Sequence, residues 1–221
     1  MIKNYHAGRK NKRVNEELKQ LIESNGLTYH IETFGCQMNV HESEKIAGVL
    51  ENLGYKPSES KEAADLLLFN TCCVREHAEA RLSGHIGALK DHKSGKAYGV
   101  LAVCGCMMQQ KGAAHKLMRR FPFVDMVFGT NSIHKLDSLL EDVLLRGQRA
   151  YCVEEDISIV EDIPVRRDGG PCAFVNIIYG CNNFCTYCIV PYVRGRERSR
   201  RADDIIDEIK RLCDEGVSEV T

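Results

Sequence analysis

What the sequence lacks narrows it first. There is no excess of either charge: 30 Lys and Arg stand against 31 Asp and Glu, so net charge argues neither for nor against a nucleic-acid partner. Local clustering has to decide that question. No long apolar run opens the chain, so neither a signal peptide nor a membrane span is expected, and the expected compartment is the cytoplasm. No internal repeat or low-complexity segment appears, which excludes a repeat array. The eight histidines show no ligand pairing; His41, His77 and His85 fall on expected helices as surface or core residues.

What is present in excess is cysteine. Eleven cysteines in 221 residues would suggest disulfides in a secreted protein, but the number is odd and the chain has no secretory features. In a reducing compartment many thiols point to metal, so the cysteines are read for ligand spacing. The length and a hydrophobic fraction of 43% suffice for one large domain or one and a half ordinary ones.

Periodicity sets out the organisation. Residues 12–25 read as a helix with Val14, Leu18, Leu21 and Ile22 on one face and Gly26 as its stop, preceded by a basic mobile arm holding Lys3, Arg9, Lys10, Lys12 and Arg13. Strand and helix then alternate. LTYHIETF, DLLLFN, AYGVLAV, VDMVF and RAYCV read as strands. The helices between them are VHESEKIAGVLENLG, about 74–90, 107–120, and SIHKLDSLLEDVLLRG with Ser132 as its cap. This is the pattern of an α/β fold, an open parallel sheet with helices on both faces. Residues 154–171 turn acidic, then basic, and end in Gly-Gly-Pro, as a linker does. AFVNIIYG follows as a strand, and ADDIIDEIKRLCDEG as a helix with Ile205, Ile206, Ile209 and Leu212 on one face. The expected division is an arm and helix over 1–26, a first domain over 27–153, a linker over 154–171, and a truncated second domain over 172–221.

The loop GCNNFCTYCIVPY places Cys181, Cys185 and Cys188 within eight residues. A structural zinc site takes four ligands, usually as two separated pairs, and a ferredoxin-type cluster takes four thiolates. Three thiolates on a four-iron cube leave one iron open to a substrate-like molecule. A zinc knuckle and a chance grouping are the competing readings. A second trio is spread along the chain: IETFGC ends at Cys36, LLLFNTC at Cys72 and VLAVCGC at Cys106. Ends of neighbouring parallel strands share one sheet edge, and each of these thiols precedes a helix, whose N-terminus favours thiolate. Cys73 and Cys104 are adjacent candidates; Cys152, Cys172 and Cys213 read as core or linker thiols.

The cysteine loop, with Tyr187 just before its third thiol, resembles the cluster loop of radical S-adenosylmethionine enzymes. Together with TFGCQMN, NTCCVRE and AVCGCM it resembles the methylthiotransferase family of that superfamily, from about Tyr29 to Thr221. The resemblance implies two 4Fe-4S clusters: a radical cluster on Cys181, Cys185 and Cys188 that binds S-adenosylmethionine, and an auxiliary cluster on Cys36, Cys72 and Cys106. It places Tyr187 on the adenine side of S-adenosylmethionine, and the second domain as the start of a partial (β/α) barrel. GCQMN and PYVRGRERSR point to the branch that places a methylthio group at C2 of N6-isopentenyladenosine beside the tRNA anticodon. The implied partners are a tRNA anticodon stem-loop and an electron donor protein, with the enzyme expected as a monomer and this piece alone expected to be inactive.

Two alternatives stay open. One is the same chemistry on threonylcarbamoyl-adenosine tRNA or a ribosomal protein; the other is a non-catalytic iron-sulfur or electron-transfer module. The run RGRERSRR offers Arg194, Arg196, Arg198 and Arg200 as RNA phosphate contacts, against the plainer reading of a solvated loop ion-paired with the acidic linker. Phe184 and Tyr192 read as base-stacking or packing residues.

Overall fold

The computed structural model describes residues 3–4, 12–73, 78–154, 158–167 and 169–221. The first unit runs β1 (Lys3–Asn4), α1 (Lys12–Asn25), β2 (Thr28–Thr33), α2 (Gln37–Asn52), β3 (Lys56–Pro57) and β4 (Leu66–Thr71). It continues with α3 (Ala78–Ala88), β5 (Val100–Gly105), α4 (Cys106–Gln109), α5 (Ala113–Arg120) and β6 (Met126–Phe128). A 3-10 turn (Thr130–Lys135), α6 (Leu136–Leu144) and β7 (Ala150–Cys152) complete it. The strands form one sheet in the order β1-β7-β6-β5-β4-β2-β3, every pair parallel.

The central strands β4 and β5 are buried at every position and mostly apolar because both their faces are covered; β4 turns polar only at its end, Asn70 and Thr71. In β4, Leu66 and Leu68 meet α1, α2 and α6 on one face, while Leu67 and Phe69 meet α3, α4 and α5 on the other. In β5, Val100 and Ala102 face the first layer, Leu101 and Val103 the second. The connection after β2 runs toward one edge of the sheet through α2, and the connection after β4 runs the other way through α3. The carboxyl ends of β2 and β4 therefore flank the point where strand order reverses, the place at which open α/β sheets bind ligands.

Several expectations are corrected here. Among the described residues before Leu27, Lys3–Asn4 pairs with Ala150 and Tyr151, and the fully buried Leu18 and Ile22 of α1 belong to the core of the sheet, so these residues join the first domain. Arg9 and Lys10 lie outside the described residues, as do residues 74–77 with His77. The helix over 107–120 is two helices, because Gly112 between them takes a left-handed φ of 76°. Ser132 does not cap α6; it is buried in the 3-10 turn, where its hydroxyl accepts the Glu154 N–H at 3.3 Å.

Residues 158–167 form no regular element, yet they are docked rather than loose. The Arg166 N–H donates to the Glu44 carbonyl at 3.0 Å, and Ile163 packs on the core. A Cβ on Gly48 of α2 would lie 2.4 Å from the Pro164 oxygen, so glycine there admits the strap. The second unit comprises β8 (Cys172–Ala173), β9 (Ile178–Tyr179), α7 (Val190–Val193), β10 (Arg198–Ser199), α8 (Ala202–Asp214) and β11 (Glu219–Val220). The stretch AFVNIIYG is thus split: β8 pairs in parallel with β11, and β9 pairs antiparallel with β10. Ile205, Ile209 and Leu212 of α8 pack on Ala173 and Val175, whereas Ile206 is 49% exposed. No helix among the described residues is long and apolar enough to cross a membrane.

Candidate metal centre

The strand register brings the first thiol trio to one edge. Thr33 of β2 faces Asn70 of β4, which faces Cys104 of β5 on its other side. Cys36 then precedes α2, Cys72 directly follows β4 and Cys106 opens α4. Two glycines hold these crossings close. A Cβ on Gly35 (φ 131°) would lie 2.6 Å from the Cys72 Cβ and 3.0 Å from its Sγ. A Cβ on Gly105 (φ 99°) would lie 2.3 Å from the Thr71 oxygen.

Two buried asparagines lock β4 to the start of α2. Asn39 donates to Asn70 Oδ1 and to the Thr71 carbonyl, each at 3.1 Å. Asn70 donates to the Asn39 carbonyl at 2.8 Å and to Ser43 Oγ at 3.0 Å. The Cys36 thiol donates to Asn39 Oδ1 at 3.4 Å. Cys73 and Cys106 are hydrogen-bonded neighbours. The hydrogen bond from Cys106, then Gln110, its own backbone and the Arg194 charge, hold Cys73 down at about 7 against its burial. The same bond and burial push Cys106 well up, while Arg194 pulls it down. Cys104 faces the core on the α1, α2 and α6 side, where burial pushes its thiol well up. Cys152 lies in the same core, and Cys172 and Cys213 are exposed.

The second trio lies on the loop after β9. The Cys181 N–H donates to the Gly195 carbonyl at 3.1 Å, and the Cys188 N–H donates to the Cys185 carbonyl at 2.9 Å. Gly180 (φ 74°) lets this loop pass residues 195 and 196: a Cβ there would lie 2.2 Å from the Arg196 oxygen. Cys185 is exposed and Tyr187 is 90% exposed. Phe184 meets Tyr192 edge-on at 5.9 Å between ring centroids. Neither trio is gathered as a ready single-ion site among the described residues. The donor chemistry fits clusters nonetheless: three thiols stand at each place, and in the first trio glycines keep the backbone between them free of side chains.

The arginine run is corrected. Arg194 is 8% exposed; its Nη1 donates to Glu42 Oε1 at 2.7 Å and its Nη2 to Cys106 Sγ at 3.0 Å. Arg200 is ion-paired with Glu161 of the linker at 2.7 Å and with Glu208 of α8 at 2.6 Å. Both are withdrawn from RNA contact, and for Arg200 the plainer expectation of pairing with the acidic linker describes what is seen. Arg198 donates to the Arg194 carbonyl at 2.9 Å. Arg196 is exposed, with its guanidinium 5.6 Å from the Phe184 ring centroid. His41 is buried and bonded to Glu44 at 2.9 Å, and His85 packs edge-on against Phe34. A cleft of about 720 Å³ lies between linker and α8, lined by Arg167, Arg200, Asp204 and Glu208, and holds none of the thiols. Sequence reasoning missed Glu42, and the asparagine lock was present only as letters inside TFGCQMN and FNTC.

Residues 28–129 match the family described as uncharacterized protein family UPF0004, and residues 175–221 match the radical SAM superfamily. The chain thus carries a UPF0004 segment followed by a segment of the radical S-adenosylmethionine superfamily. The second segment implies a 4Fe-4S cluster and S-adenosylmethionine. Its relatives are named tRNA-2-methylthio-N(6)-dimethylallyladenosine synthase. The Caldicellulosiruptor saccharolyticus protein is 57% identical over 195 residues, covering 88% of this chain and 41% of the relative. A Thermoanaerobacter sp. protein is 48% identical over 214 residues (96% and 45%), and the Clostridium tetani protein 53% over 195 residues (88% and 43%). The chain thus spans less than half the length of these curated relatives.

Proposed function

We propose that this chain is the cluster-bearing N-terminal part of a tRNA methylthiotransferase, one that places a methylthio group at C2 of N6-isopentenyladenosine beside the anticodon. One observation carries the reading. Arg194 touches Cys106 of the first trio, and the next residue, Gly195, accepts the backbone N–H of Cys181 in the second. Both thiol sets therefore belong to one interface, as sulfur insertion at a carbon radical requires.

The radical cluster with S-adenosylmethionine supplies a carbon radical able to take a hydrogen from an aromatic ring, which acid–base chemistry cannot do. In this reading Cys181, Cys185 and Cys188 hold that cluster, and Cys36, Cys72 and Cys106 hold a second one. The exposed Tyr187 would lie on the adenine side of S-adenosylmethionine. The exposed Arg196, beside the loop, meets anticodon-stem phosphates. No side chain here acts as a general base. An electron donor protein, a monomeric state and a cytoplasmic setting complete the proposal.

Anaerobic reconstitution tests it. About eight irons per chain are expected from two four-iron clusters, falling to about four when Cys36, Cys72 and Cys106 are all alanine. Stoichiometric zinc, or one cluster only, would sink the reading. In the full-length protein, reductive cleavage of S-adenosylmethionine to 5′-deoxyadenosine separates an enzyme from an electron carrier.

A further inference from the structure

Arg194 is bound in an unusual way for a guanidinium facing a carboxylate. The planar fork ordinarily takes both carboxylate oxygens in parallel. Here one arm takes Glu42 Oε1 at 2.7 Å and the other takes Cys106 Sγ at 3.0 Å. Glu42 Oε2 is left buried with no hydrogen-bond partner among the described residues. An orphaned buried oxygen costs stability, so the arrangement favours the sulfur contact over a complete ion pair. The residue is anchored from every side: its N–H donates to the Val190 carbonyl at 2.8 Å, and its own carbonyl accepts from Arg198 at 2.9 Å. Arg194 comes from the second unit, whereas Glu42 and Cys106 belong to the first.

We propose that Arg194 is a positioning residue for the auxiliary cluster: it fixes the Cys106 sulfur from across the domain interface and, by hydrogen-bonding that sulfur, sets the cluster's reduction potential. Glu42 holds the guanidinium in place for this. Hydrogen bonds and positive charge at a ligand sulfur stabilise the reduced, more negative cluster and so raise its potential. The same bond makes the auxiliary site sensitive to the seating of the radical domain, because only the docked second unit supplies the donor. The inference rests on the proposal that Cys106 is a cluster ligand.

The test is a redox titration, followed by electron paramagnetic resonance, of the reconstituted chain carrying Cys181→Ala, Cys185→Ala and Cys188→Ala, so that only the auxiliary site loads. Arg194→Met is expected to keep its iron and to shift the reduction equilibrium about tenfold toward the oxidised form, about 59 mV more negative for a one-electron couple. Arg194→Lys keeps the charge but cannot make both contacts at once, and is expected to show part of the shift. Arg196→Met, on the same loop but exposed, is expected to show none. Full iron with an unchanged potential in Arg194→Met would overturn the assignment, as would an equal shift in Arg196→Met. If Arg194→Met fails to fold, an unchanged potential in Arg194→Lys overturns it instead. If the unsubstituted site takes up no iron in this background, the auxiliary-cluster reading itself fails, and the role of Arg194 falls with it.

Discussion

At Gly105 a single methyl group decides whether β5 can pass the chain on to Cys106. The backbone has a φ of 99°, and the space where a Cβ would go is occupied by the Thr71 oxygen at 2.3 Å and Asn70 Oδ1 at 2.5 Å. Neither is the end of a flexible chain. Gly105→Ala is therefore expected to destabilise the protein by more than about 2 kcal/mol, from backbone strain plus the clash, read as a fall in the denaturant midpoint. It is also expected to lower iron uptake at the first trio while sparing the loop of Cys181. The neighbouring pair poses a finer question. Cys72 lies against Gly35 and so beside Cys36, while Cys73 is hydrogen-bonded to Cys106. With Cys72 as the ligand, Cys72→Ala should hold about four irons and Cys73→Ala about eight. The opposite pattern of iron content would move the ligand one residue along.

The elements show what the sequence can and cannot disclose. β4 and β5 were legible because a strand covered on both faces is built mostly of apolar residues, as LLLF of β4 and VLAV of β5 are. β3 was not, since two residues, Lys56 and Pro57, carry no period. Ser132 looked like a cap by its place before an apolar helix, but the backbone there turns as a 3-10 segment and its hydroxyl is taken by Glu154. The Cys181, Cys185 and Cys188 trio stood out because its spacing is itself chemistry, and Cys36, Cys72 and Cys106 because each follows a strand. Arg194 did not, because a run of arginines reads alike on a wet loop and at an interface, and only packing against Glu42 separates the two. The asparagine lock joins these elements. Asn39 and Asn70 are at most 1% exposed, and Asn70→Ala takes away one acceptor of the Asn39 amide and the donor to the Asn39 carbonyl in the interior, leaving the Thr71 contact. A loss of about 2–3 kcal/mol is expected in equilibrium unfolding, and a loss under about 0.5 kcal/mol would mean water replaces the partner.

Across the whole molecule the two units are joined by polar ties rather than by a shared apolar core. The apolar clusters of the sheet and of α8 are separate. Among the described residues the gap is spanned by Lys45 to Tyr179 at 3.1 Å, by Arg194 to Glu42 and Cys106, by the strap pinned at both ends, and by one ring contact, His41 on Phe174. Arg166 fastens the strap to Glu51 of α2 at 3.1 Å, and Arg200 fastens its Glu161 to Glu208 of α8. Arg200 is the junction of the second end: its side chain is 7% exposed, and it also donates to the Asn176 carbonyl at 2.8 Å. Removing it leaves the Glu208 carboxylate, 15% exposed, facing Glu161 without its main counter-charge. Breaking a buried pair by deleting one partner costs about 3–5 kcal/mol, and the 32% exposure of Glu161 brings the expectation to about 3 kcal/mol. The loss should fall on the junction and spare the sheet, whose core lies elsewhere. Arg200→Ala is therefore expected to open the strap to limited proteolysis within residues 158–167, while the sheet domain survives as a protected fragment. Arg200→Lys, keeping charge without the fork, should lie between the two. A strap cut no faster in Arg200→Ala than in the unsubstituted chain would show that Lys45 and Arg194 hold the units together without it.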